Sequence, residues 1–188
     1  CTVFLNGCNF RCPYCHNAPL VLEPDSQPVI GEEEFFSFLN KRRGLLDGVA
    51  VTGGEPTLLR DLPAFIRRVK DMGFRVKLDT NGTRPDMLKQ LIQDKLVDFI
   101  AMDLKAPLGK YALITGVEFN PAVLRESMDL IRQSGLGYEF RTTYDKEVLT
   151  DADIAAISQS VDGKHFRVQE CLPVAKEKAA LKVLHQEI

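Results

Sequence analysis

No apolar run in the sequence approaches the roughly 18 to 20 residues that a helix needs to cross a bilayer, so no membrane partner is expected. Neither charge is in excess: 24 Lys and Arg face 26 Asp and Glu, a net charge of −2, and nothing marks a nucleic-acid or polyanion binder. Linkers and low-complexity segments are absent as well. A chain of 188 residues can bury a core without disulfides, and we read 1–188 as a single domain. It opens on Cys1 in place of Met, from which we expect the native N-terminal residues to be missing.

Cysteine is scarce and uneven. The five are Cys1, Cys8, Cys12, Cys15 and Cys171, and three of them fall within eight positions. An odd, tightly clustered set argues against the disulfide framework of a secreted domain and for a metal in a reducing compartment. Between Cys15 and Gly53 there is no cysteine and only Cys171 follows, so a second metal cluster would lack ligands. Cys171 reads as a buried core thiol, and His165 and His185, which have no partner motif, as structural or surface residues.

What is present is an alternation of short apolar runs and helical patterns. Strands are expected at Thr2–Leu5, Gly48–Thr52, Arg75–Thr80, Val97–Leu104, Tyr138–Tyr144 and His165–Glu170. Helices are expected at Glu32–Arg42, Leu59–Met72, Pro85–Gln93, Asn120–Ser134, Thr150–Ser160 and Glu177–His185. Pro85 suits a first turn, Asn120 and Thr150 suit N-caps, and Gly135 suits a helix stop. Serial β/α units imply a parallel sheet, and six fall short of the eight of a closed barrel. The fold class is therefore α/β, an open partial (β/α)6 barrel, with a flat doubly wound sheet as the alternative.

In parallel α/β folds the site lies at the carboxyl ends of the strands. The unusual polar residues fall there: Asn6 to Asn17, Thr52 to Pro56, Asp79 to Gly82, Asp103 to Lys105, and Arg141 within the fifth strand. The densest stretch is Cys8-Asn9-Phe10-Arg11-Cys12-Pro13-Tyr14-Cys15-His16-Asn17, a C-x3-C-x2-C spacing. Iron–sulfur cubanes usually take four thiolates; with three, one iron is left open to a small molecule. The competing reading is a zinc site on Cys8, Cys12, Cys15 and His16, in which adjacent Cys15 and His16 would have to chelate one ion. In Thr52-Gly53-Gly54-Glu55-Pro56, the glycines admit close backbone approach, and Glu55 offers an anionic acceptor for an ammonium. Asp79-Thr80-Asn81-Gly82 reads equally as an Asx turn, Asp103 and Lys105 as a rim pair, and Arg141 as a strand-face salt bridge or a carboxylate or ribose contact.

The cysteine spacing, with an aromatic residue before Cys15, resembles the signature of the radical S-adenosylmethionine (radical SAM) enzymes. Cys8 to Asn17 resembles glycyl-radical-enzyme activases, especially the activating proteins of anaerobic ribonucleotide reductase. The likeness continues through Gly53-Gly54-Glu55-Pro56, Asp79-Thr80-Asn81-Gly82, Met102-Asp103-Leu104-Lys105 and Cys171-Leu172-Pro173. The resemblance implies a 4Fe–4S cluster on Cys8, Cys12 and Cys15, and S-adenosylmethionine (SAM) bound by its amino and carboxylate groups at the open iron. Reductive cleavage to a 5′-deoxyadenosyl radical would then lead to hydrogen abstraction from a backbone glycine of the partner enzyme. It implies that Tyr14, His16 and Asn17 border the cofactor, that Gly53, Gly54 and Glu55 hold the methionine amino group, and that Asp79, Thr80 and Asp103 hold a monovalent cation. Asn81, Lys105 and Arg141 complete the expected cofactor surroundings. A flavodoxin or ferredoxin reductant and an oxygen-poor cytoplasm are implied too. One departure stands out: related activases carry a His two residues after the last Leu-Pro, whereas Val174 and Ala175 follow Pro173 here.

Overall fold

The computed structural model describes residues 1–161 and 163–171. The expected last helix at Glu177–His185 and the Leu172-Pro173 motif lie outside the described residues. Six strands, β1 (Thr2–Leu5), β2 (Gly48–Gly53), β3 (Arg75–Thr80), β4 (Phe99–Asp103), β5 (Gly137–Tyr144) and β6 (Phe166–Glu170), form one sheet. Each pairs in parallel with the next in sequence order, from β1 to β6, and the sheet is not closed. Parallel neighbours need a crossover, and helices supply it: α1 (Ala18–Leu22), α2 (Glu32–Asn40), α3 (Leu62–Asp71), α4 (Pro85–Gln93), α5 (Tyr111–Thr115), α6 (Ala122–Gln133) and α7 (Asp151–Ser160).

Strand alternation sends one residue set to the helices and the other to the opposite face. Val49, Val51, Val76, Leu78, Ile100, Met102 and Phe140 are buried with Leu39, Leu62, Ile66, Leu88, Leu91, Leu124 and Ile131 from the helices. The residues between them in sequence, Thr52, Asp79, Asp103, Arg141, Thr143 and Gln169, line a cavity on the other face. The apolar face drives folding and the polar face is left for the site.

Local chemistry sets the element ends. Thr150 closes a capping box with Asp153, and the Ala122 N–H donates to Asn120 Oδ1 at 3.0 Å at the start of α6. Gly135, at φ +74°, follows that helix. The expected Leu59–Met72 helix begins later, at Leu62, because Pro56–Leu58 forms its own 3-10 turn, whose Thr57 N–H is taken by Glu55. The expected Val97–Leu104 strand shortens to Phe99–Asp103. Helices α1 and α5 are too short for a periodic apolar pattern to announce them.

Leu91 is fully buried on α4. Leu91→Ala is expected to cost about 2–5 kcal/mol, the usual range for such a truncation, read as a lowered denaturant midpoint at unchanged slope.

Candidate functional site

The cysteine loop leaves β1 and is tied down at several points. Gly7 N–H donates to Leu20 O at 2.9 Å, Arg11 N–H to Thr115 O at 2.7 Å, and Cys15 N–H to Cys12 O at 3.2 Å. The Arg11 guanidinium folds back on the Cys8 and Phe10 carbonyls, 2.8 Å from each. Phe10 is 2% exposed and packs with its ring centroid 6.3 Å from Tyr111 and 5.3 Å from Phe119. Such aromatic pairs contribute about 0.5–1.5 kcal/mol each beyond area burial. One apolar side chain thus anchors an otherwise polar loop. Our reading of the sequence did not single out Phe10, although a lone aromatic between two cysteines was the available signal.

Cys8, Cys12 and Cys15 open onto one cavity of about 200 Å³, together with Tyr14, His16, Asn17, Gly53, Gly54, Asp79, Thr80, Asn81, Asp103, Lys105 and Arg141. Every residue expected at the site lines this cavity except Glu55. Burial raises the Cys8 thiol and pushes Cys12 up to about 11. Among the described residues no three His, Cys, Asp or Glu side chains gather as a single-ion site.

The glycines of the second motif serve a junction. Gly54 N–H donates to Leu5 O and Glu55 N–H to Gly7 O, both at 2.8 Å, so β2 leaves the sheet pressed against the entry to the cysteine loop. A Cβ on Gly53 would stand 2.3 Å from Leu5 O, and one on Gly54 1.9 Å from Gly7 O. Gly53 also has φ +120°, which strains any other residue. Asn17 Nδ2 donates to Gly53 O at 2.7 Å, closing the loop onto the same spot.

Glu55 departs from expectation. It is 1% exposed, and its carboxylate accepts from the Thr57 N–H at 3.1 Å, from the Thr57 hydroxyl, from the Thr80 hydroxyl at 2.7 Å and from the Asn81 N–H at 2.5 Å. The acceptor expected for a ligand ammonium is therefore taken up by four protein donors, tying the β2 exit to the β3 exit. Burial pushes the Glu55 carboxyl above its ordinary value against the pull of these donors.

Charge alternates across the cavity floor. Asp103 meets Lys105 Nζ at 2.9 Å and Arg141 Nε at 2.8 Å; Asp79 meets Lys77 Nζ at 2.7 Å and Arg141 Nη1 at 3.5 Å. Both aspartates thus converge on one point, which the Arg141 guanidinium occupies while also lining the cavity. Burial alone would raise the Asp103 carboxyl, but Lys105 and Arg141 hold it below its ordinary value. The Thr80 hydroxyl is turned away toward Glu55. The ring of Tyr14 is buried beneath the cavity, its hydroxyl 3.3 Å from Lys105 O, and Tyr111 accepts the Lys105 N–H at 2.9 Å. Thr143 and Gln169 line the cavity without having been anticipated, since neither belongs to a recognisable motif.

The family profile described as Radical SAM superfamily matches residues 2–156. The chain is 36% identical over 178 residues to a Methanocaldococcus jannaschii protein named as a candidate glycyl-radical enzyme activating enzyme, covering 91% of this chain and 72% of that one. It is 31% identical over 168 residues to a Sulfurisphaera tokodaii protein named as a candidate GTP 3′,8-cyclase, covering 85% of this chain and 52% of the relative. Among solved structures, Streptococcus suis SuiB bound to S-adenosylmethionine matches with a TM-score of 0.71 at 15% identity, over 91% of this chain and 40% of that one, a likeness of fold. The chain spans 72% of the first of these proteins and about half or less of the other two.

The geometry at Glu55 makes two predictions. In Glu55→Gln one carboxylate oxygen becomes an NH2, leaving a buried donor such as the Asn81 N–H unpaired, at a cost of about 1–3 kcal/mol in denaturant unfolding. An acid raised on folding holds its proton longer in the folded than in the unfolded state. Glu55 therefore contributes a stability that is present below its unfolded value and lost as pH rises through the folded one. The wild type should show that decline across the window above the ordinary carboxylate range, and the difference from Glu55→Gln should isolate it.

Proposed function

The chain belongs to the radical SAM superfamily and is a radical SAM enzyme, and from that premise we propose that it is an activase that generates a glycyl radical on a partner enzyme. The observation carrying this reading is the shared cavity: three cysteine sulfurs, the Gly53–Gly54 backbone and the Asp79–Arg141–Asp103 array face one another at the carboxyl ends of parallel strands. The likeness to a protein named as a glycyl-radical enzyme activating enzyme, over 91% of this chain, supports the choice of substrate. An open sheet leaves a lateral way in for a peptide loop.

In this reading Cys8, Cys12 and Cys15 hold a 4Fe–4S cluster. When bound, the cluster and SAM supply a one-electron reductive cleavage of the sulfonium C–S bond, the source of a 5′-deoxyadenosyl radical that takes a hydrogen atom. The residues of this chain bind, orient and exclude water. Tyr14, His16 and Asn17 border the cofactor from the cysteine loop. The backbone of Gly53 and Gly54, with carbonyls and not the occupied Glu55 carboxylate, receives the ligand ammonium. Lys105 and Arg141 present cations for a carboxylate or ribose while held in place by Asp103 and Asp79. A monovalent cation at Asp79 and Asp103 would have to share both carboxylates with Arg141. The partner in this reading is a glycyl-radical enzyme, anaerobic ribonucleotide reductase by the sequence resemblance, and a flavodoxin or ferredoxin is the reductant. The likeness to a GTP 3′,8-cyclase favours a second reading, a radical SAM enzyme acting on a small molecule.

Protein reconstituted with iron and sulfide without oxygen, then reduced and given SAM, should form 5′-deoxyadenosine. Cys12→Ala should abolish it. A protein that takes up zinc and cleaves no SAM would overturn the enzyme reading. With a partner deuterated at its glycines, label appearing in 5′-deoxyadenosine supports the activase; unlabelled product formed only with an added small molecule supports the second reading.

A further inference from the structure

Asn81 sits directly after β3 at 5% exposure, and its backbone is fixed by the Glu55 carboxylate. Its side chain is fixed too. The Thr83 N–H, which can only donate, lies 3.0 Å from Asn81 Oδ1, and the Thr83 hydroxyl lies 2.7 Å from the same oxygen. That assigns the oxygen and turns the NH2 the other way. One N–H reaches Asn9 Oδ1 at 2.9 Å, and Asn9 Nδ2 reaches Thr83 Oγ1 at 2.9 Å, closing a ring of three side chains between the cysteine loop and the β3 exit. Hydrogen bonds in such a ring polarise and stiffen one another. The same NH2 lies 3.9 Å from Cys8 Sγ, the long reach of a bond to sulfur.

The Cys8 sulfur also accepts the Phe10 N–H at 3.4 Å. Among the described residues neither Cys12 nor Cys15 accepts a hydrogen bond at sulfur. The three thiols are therefore unlike: one faces two fixed N–H donors and two face none. Hydrogen bonds to the sulfurs of a cluster ligand are among the levers a protein has on reduction potential. An N–H directed at a sulfur is worth more when the sulfur carries more negative charge, so it favours the reduced state.

We propose that Asn81 is a positioning residue for the iron–sulfur site, holding an N–H on the Cys8 sulfur through its ring with Asn9 and Thr83 and thereby raising the potential at which the site accepts an electron. This rests on the reading that Cys8 ligates a cluster. It places Asn81 on the metal side of the cavity and assigns a job to Asn9, which no motif singles out.

The test is a redox titration of anaerobically reconstituted protein, followed by electron paramagnetic resonance, for the wild type, Asn81→Ala, Asn81→Ser and Asn9→Ala. Asn81→Ser keeps a hydroxyl able to accept from the Thr83 N–H, so the turn survives while the reach to sulfur is lost. Both Asn81 variants should bind wild-type iron and titrate at a more negative potential, and Asn9→Ala, which keeps the amide but opens the ring that holds it, should shift the same way by less. A wild type that assembles no cluster would sink the site reading itself. A normal cluster with unmoved potential in the Asn81 variants, or a shift in Asn9→Ala larger than theirs, would overturn only the role of Asn81. Asn81 variants with native circular dichroism but no iron would overturn it as well, because the residue would then be needed for binding and not for tuning.

Discussion

The site depends on the docking of the β2 exit onto the entry to the cysteine loop. Two backbone hydrogen bonds of 2.8 Å join Gly54 and Glu55 to Leu5 and Gly7, at a separation that leaves no room for a Cβ on Gly53 or Gly54. From that junction the Glu55 carboxylate reaches sideways to Thr80 and Asn81, so three consecutive strand ends are tied together, β1 to β2 through backbone bonds and β2 to β3 through one buried carboxylate. Charge-assisted bonds of this kind are stronger than neutral ones, and a buried carboxylate with unmet acceptors would be costly. The cysteine sulfurs are placed by this frame and by the Phe10 anchor.

The sheet separates two tasks. Its helix-facing residues are mostly apolar and supply the burial that stabilises the fold. Its other face carries Asp79, Asp103 and Arg141, which would be unfavourable singly in so enclosed a place. They are tolerated because each is paired: Arg141 is shared between both aspartates, and Lys77 and Lys105 take the remaining oxygens. Each carboxylate of the array is paired and the array borders the cavity, so its cations are held at fixed positions before any ligand arrives.

Much of this was legible in one dimension. The serial alternation of apolar runs and helical periodicity is local information, and it implied an open six-unit parallel sheet, as found. The elements it missed, Ala18–Leu22 and Tyr111–Thr115, span barely more than one turn, too little for a period of 3.6 to register. The placement of polar residues after strands followed from the topology, and nearly all of them do border one cavity. Thr143 and Gln169 escaped notice because isolated polar residues in a strand look alike whichever face they take.

The amino-acid sequence by itself determined the family and the fold class, because cysteine spacing and hydrophobic period depend only on order along the chain. Partnership was decided by the tertiary structure alone. Glu55, an acceptor for a ligand ammonium by motif, takes donors from Thr57, Thr80 and Asn81, two of which lie about 25 residues away. Asp79 and Asp103, which looked like a site for a cation, meet at the guanidinium of Arg141. Asn9 and Asn81, 72 positions apart, share a hydrogen bond beside Cys8. Which donor meets which acceptor depends on distances across strands, and those exist only once the sheet has formed.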